Sequence, residues 1–106
     1  MDVSKKKLGL MLSTGPDHPA NLATVRGLAD AALDRGASVY LYLIDDGVRA
    51  LPDVRPLADR GVKLFVCAYG CQKRRIPLED ADAVTYCGLV VLTDLINGTD
   101  RFLALN

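Results

Sequence analysis

Six consecutive apolar, β-favouring residues, Val39-Tyr40-Leu41-Tyr42-Leu43-Ile44, constrain the fold of this chain more than any other feature. A strand with one wet face alternates apolar and polar residues. An unbroken run marks a strand covered on both faces, the situation of an inner strand in a parallel sheet flanked by helices. The flanking sequence agrees. Leu8 to Leu12 is a short apolar run closed by Ser13-Thr14-Gly15-Pro16, as expected of a buried strand entering a loop. Between the two runs, Leu22, Val25, Leu28, Ala29, Ala32 and Leu33 recur at helical spacing, with Asn21 as a candidate cap and Gly36 as the stop.

Beyond Ile44, Asp45-Asp46-Gly47 predicts a turn into a short segment around Val48 to Leu51. Pro52 and Pro56 predict the start of a helix ending near Gly61. Val62 to Val66 reads as a third strand, running on to Cys67. Ala68 to Arg75 suits a short helix that Pro77 stops. A weak strand is expected near Ala83 to Thr85. A helix follows over Leu89 to Ile96, closed by Asn97-Gly98, and Arg101 to Leu105 forms a last strand.

Alternating strands and helices joined by right-handed crossovers predict an α/β fold, a three-layer sandwich with a mainly parallel sheet of about five strands. The 106 residues suit a single domain, 1–106, with one core. Thirteen basic residues balance thirteen acidic ones, so no overall field attracts nucleic acid or anionic lipid, and neither is expected as a partner. No apolar stretch reaches membrane-spanning length, and the Lys5-Lys6-Lys7 start does not read as an export signal. Three cysteines cannot all pair within one chain, so free thiols in a reducing cytoplasm are the expectation.

In such a sheet the loops after the strand carboxyl ends gather on one edge, where ligands bind. Thr14 to His18, Ile44 to Gly47 and Cys67 to Cys71 meet that condition. Cys67 carries the most chemical information. A thiol at a strand end and helix start faces unpaired backbone amides and the positive end of the helix dipole, which favour thiolate, and Lys73, Arg74 and Arg75 follow nearby. The plainer alternative is a small buried apolar residue. Cys71 lies one helical turn on, as a second working thiol or as packing. Cys87, before a helix expected to start at Gly88, could face a second amide cluster but reads most simply as a packed thiol.

No cofactor or metal is expected. His18 and the three cysteines lack the spacing of a paired-knuckle zinc site, and His18 reads as a solvated loop residue more readily than as a base for Cys67. Gly15 and Gly47 belong to neither nucleotide-binding glycine pattern. Asp45 and Asp46 read as turn residues. Tyr40, Tyr42, Tyr69 and Tyr86 form no evident base-stacking platform.

Taken in order, the elements and short motifs resemble the DsrE and TusD-like proteins of bacterial sulfur relay. The likeness runs from Thr14-Gly15-Pro16 through Gly36 and Gly47-Val48 to Gly61-Val62-x-Leu64-x-x-Cys67 and Arg74-Arg75. It ends with Gly88-Leu89, Leu92 and Asp100-Arg101. The resemblance implies that Cys67 accepts a sulfane sulfur as a persulfide and passes it to a partner protein. It also implies donor and acceptor proteins and a homo-oligomer, trimer or hexamer, or a hetero-oligomer with related subunits. The chain departs from the pattern twice, and the first departure keeps Cys71 in play. The segment from Cys67 to Arg75 is one residue longer than the closest sulfur-relay pattern, so alignment by the arginine favours Cys71. Ile76-Pro77 also replaces the glycine usual after it. Two other functions stay open: a noncatalytic assembly subunit, and a thiol redox switch using Cys67 and Cys71.

Overall fold

The computed structural model describes residues 5–79 and 83–106. Five strands, β1 (Lys7–Leu12), β2 (Ser38–Leu43), β3 (Lys63–Cys67), β4 (Val84–Cys87) and β5 (Arg101–Leu105), form one sheet in the order β4-β3-β2-β1-β5. Every pairing is parallel. The helices are α1 (Pro19–Asp34), the single turn α2 (Leu51–Val54), α3 (Ala68–Lys73) and α4 (Leu89–Gly98).

The strand order explains which face each helix covers. From β1 to β4 the chain steps repeatedly to the next strand in one direction, and right-handed crossovers place α1, α2 and α3 together on one face. Leu8 of β1 and Leu28 and Ala32 of α1 accordingly line one cavity. The last connection leaps back over the sheet from β4 to β5. It therefore passes on the opposite face, which α4 covers by packing on β1 and β5. Leu10, Leu12, Leu41, Leu43, Leu64 and Val66 make the core between the sheet and α1, together with Leu22, Val25 and Ala29 of the helix.

Several element boundaries differ from the sequence expectation for local reasons. Helix α1 starts at Pro19, whose fixed φ and missing N–H suit the first helical position, so His18 rather than Asn21 is the cap residue. Asn21 lies inside the first turn and its amide donates to Thr14 Oγ1 at 3.0 Å. Beyond β2 the chain runs as a 3₁₀ turn, Asp45–Ala50, then α2, then a second 3₁₀ turn, Arg55–Arg60. Pro52 and Pro56, four apart, each withhold an N–H, which leaves short turns in place of one helix. Gly61 ends this segment at φ 102°, a left-handed conformation for which glycine is suited. Helix α3 ends at Lys73, two residues earlier than Arg75, which itself adopts φ 57°. Strand β4 is Val84–Cys87 and not Ala83–Thr85, and α4 runs on through Asn97 to Gly98 with Gly88 as its cap residue.

Candidate functional site: a thiol cluster at the carboxyl edge of the sheet

Because all strands are parallel, the loops after β1, β2 and β3 meet on one edge. Their backbones are in close contact. Ile44 N–H donates to the Leu12 carbonyl at 3.1 Å, and a Cβ on Gly47 would lie 2.0 Å from that same oxygen, so only a hydrogen fits there. A Cβ on Gly15 would meet the Asp46 carbonyl at 3.2 Å, and one on Gly70 would meet Val48 Cγ1 at the same distance. Arg74 ties the third loop to the second: its Nε donates to Asp46 Oδ1 at 2.8 Å and its Nη1 to the Gly70 carbonyl at 3.2 Å. This hydrogen bond, opposed by desolvation and helped by the charges of Arg74, Arg49 and His18, holds the Asp46 carboxyl below the ordinary carboxylate range.

Cys67 is the last residue of β3 and the cap residue of α3. Its Sγ accepts the Gly70 N–H at 3.4 Å, the position at which serine or aspartate side chains commonly satisfy a helix start. It is only 6% exposed. Cys71, at 1% exposure, lies inside α3, and burial above all, with Cys67 beside it, pushes its thiol up against a smaller opposing effect of Arg74. Lys73 and Arg75 are exposed, and Tyr69, 70% exposed, stands on the open side of α3.

The sequence reads Cys87 most simply as a packed thiol, and its pairing with Cys67 becomes visible only in the structure. Cys87 ends β4 and is the direct register partner of Cys67. Paired residues of parallel strands project to the same face, so both thiols lie on the α4 side of the sheet. Cys87 is half-buried and its Sγ leans toward β3, 3.9 Å from the Val66 carbonyl. From the next strand, Tyr42 brings its hydroxyl beside both thiols. Burial, followed by Cys87 and Cys67, drives that hydroxyl well above the ordinary phenol range, and its proton is donated to the Gly88 carbonyl at 3.0 Å. Burial pushes the Cys87 thiol up.

The structure thus brings Cys67, Cys87 and Tyr42 together, with Cys71 beside Cys67 from within α3. It leaves His18 elsewhere, beside Asp17 at 3.8 Å, with its charge felt at Asp46. Among the described residues no three His, Cys, Asp or Glu side chains gather as metal ligands. A cavity of about 580 Å³ opens at the other end of the sheet, between Lys6, Arg35 and Arg101, away from the thiols. Sequence inspection missed Tyr42 because its relation to Cys67 and Cys87 exists only once β2, β3 and β4 are in register.

A five-stranded parallel sheet between helices, with its loops and thiols on the carboxyl edge, is the α/β architecture expected from the DsrE-like resemblance. Among solved structures it is similar to the YchN protein from E. coli, with a TM-score of 0.77 over 99% of this chain and 100% of that one. The two are 17% identical in sequence, so the likeness is one of fold. No protein-family model matches the sequence, and no curated protein matches it. No helix of the described residues is long and apolar enough to cross a membrane.

Proposed function

We propose that this chain carries sulfane sulfur on Cys67 and hands it to a partner protein. The supporting observation is the placement of Cys67 as both strand end and helix cap, with the Gly70 N–H directed at its sulfur. That backbone donor holds the sulfur in one place while it alternates between thiolate and persulfide. In loading, the Cys67 thiolate attacks the outer sulfur of a donor persulfide and the donor thiolate leaves. In delivery, an acceptor thiolate attacks the outer sulfur and Cys67 leaves as thiolate. Neither step needs a cofactor or an outside oxidant.

The expected partners, sulfur donor and acceptor proteins and further copies or relatives of the chain, belong to the same proposal. Leu89 and Val90 of α4, the latter 77% exposed, provide an apolar surface suited to such contacts. Loading with inorganic polysulfide followed by intact-mass measurement tests the carrier role. Read at the first moments after mixing, the protein should gain one sulfur atom and Cys67→Ser should gain none; unchanged gain in Cys67→Ser overturns the assignment. Loss of the gain in Cys71→Ala alone would transfer the role to Cys71.

A second reading rests on the burial of Cys67. A thiol at 6% exposure also serves simply to fill the top of the core, and the chain then acts as a noncatalytic assembly subunit. It predicts no sulfur uptake on any cysteine of the folded protein.

A further inference from the structure

We infer that Cys87 is the resolving thiol of Cys67: the two form a cross-strand disulfide that expels hydrosulfide when Cys67 carries a persulfide and no acceptor takes the sulfur. This deepens the carrier reading and rests on it. Three observations support the pairing. First, Cys67 and Cys87 are register partners on adjacent parallel strands. Adjacent strands lie about 4.8 Å apart, inside the roughly 4.4–6.8 Å range of Cα separations that a disulfide spans, and the two side chains share one face. Second, the Cys87 sulfur leans toward β3, against the carbonyl of Val66, the residue just before Cys67. Third, the Tyr42 hydroxyl lies beside both sulfurs, which places them in one polar niche rather than in separate parts of the core.

Cys71 is the poorer partner. It lies within α3, where closing a bond to the cap residue one turn earlier distorts the helix, and it is sealed at 1% exposure. Cys87 is the more open of the two registered thiols, which lets solvent take its proton as it becomes the attacking thiolate.

The step balances without another oxidant. The Cys87 thiolate attacks the inner sulfur of the Cys67 persulfide, the bond between Cys67 Sγ and the outer sulfur breaks, and that electron pair leaves with the outer sulfur as hydrosulfide. The proton lost by Cys87 passes to solvent or to the hydrosulfide. The sulfane sulfur is reduced to sulfide and the two cysteine sulfurs end as a disulfide. A low-molecular-weight thiol reductant reopens the pair by exchange. The consequence is a carrier that discards its cargo when delivery stalls.

The experiment compares the unaltered protein, Cys71→Ala, and Cys71→Ala combined with Cys87→Ser, each exposed to inorganic polysulfide and cleared of excess reagent. Intact mass, disulfide peptide mapping and released sulfide are followed. With Cys87 present, the mass should fall to that of the reduced chain less two hydrogens. Peptides containing Cys67 and Cys87 should be joined and one hydrosulfide released per chain. With Cys87→Ser the added sulfur should stay on Cys67. A persulfide that persists undiminished on Cys67 beside an intact Cys87 overturns the inference and leaves the carrier reading standing. Absence of added sulfur in every variant, with no joined peptides, overturns both. Oxidation with diamide gives a readout independent of sulfur loading: joined Cys67 and Cys87 peptides support the pairing, and joining of Cys67 to Cys71 instead overturns it.

Discussion

Gly47 is the position at which the carboxyl edge of the sheet is most tightly closed, and replacing it with alanine tests how that edge is built. The added methyl would stand 2.0 Å from the Leu12 carbonyl oxygen and 2.7 Å from its carbon, where 3.0 Å is the closest real Cβ atoms come. The obstacle is backbone on both sides, so the turn and β1 must part by about an ångström. Overpacking of this kind costs about 1–3 kcal/mol. Separation also strains the Ile44 N–H bond to the Leu12 carbonyl, adding about 1 kcal/mol. The expected loss is therefore roughly 2–4 kcal/mol, a large part of the total stability of a domain this size. Urea unfolding followed by circular dichroism measures it, as a lower midpoint at unchanged slope. Gly27→Ala is the matched control: no atom lies within 4 Å of the added methyl on α1, and a gain of up to about 1 kcal/mol is expected from helix propensity alone. A Gly47→Ala protein within about 0.5 kcal/mol of the parent would refute the claim that the loops after β1 and β2 share a fixed contact.

Arg74→Ala should destabilise the protein at neutral pH by releasing Asp46 and the Gly70 carbonyl. Since the folded Asp46 carboxyl sits below its unfolded value, its contribution is present above the ordinary carboxylate range and is lost as pH falls through the folded value. The stability difference between parent and variant should accordingly narrow in acid, in urea titrations at a series of pH values; a constant difference would refute the link. Tyr42→Phe removes the donor to the Gly88 carbonyl at the start of α4 and should cost about 1 kcal/mol in the same assay. A neutral outcome would mean that the carbonyl finds water instead.

The elements were legible where residue type alone decides. The run Val39 to Ile44 predicts β2, Arg101 to Leu105 matches β5 residue for residue, and Gly36 and Gly61 both adopt the positive φ that ends a helical segment before a strand. What was less legible depends on competition or on distant partners. Two prolines four residues apart break one expected helix into turns, and Pro19 takes the start of α1 from Asn21. The candidate site divides in the same way. Cys67 was visible because it follows an apolar strand and precedes a helical segment. The relation of Cys67 to Cys87, twenty residues on, depends on the register Leu64 to Val84 and Cys67 to Cys87, which hydrogen bonding between strands sets and no local pattern encodes.

The backward leap from β4 to β5 gives the two faces of the sheet different histories of constraint. One face lies under α1, α2 and α3, whereas the single ten-residue α4 covers the other, leaving Tyr40 and Phe65 half-exposed with their rings stacked 6.5 Å apart and Lys63 over Tyr40. Along β3, substitution should therefore be felt in a two-beat rhythm: Leu64 and Val66 intolerant of any change in volume, Lys63 and Phe65 permissive for the isolated chain. Saturation mutagenesis read out by folding alone would show that rhythm. Any further selection acting on Lys63 and Phe65 would then measure what the open face does for the protein beyond holding it together.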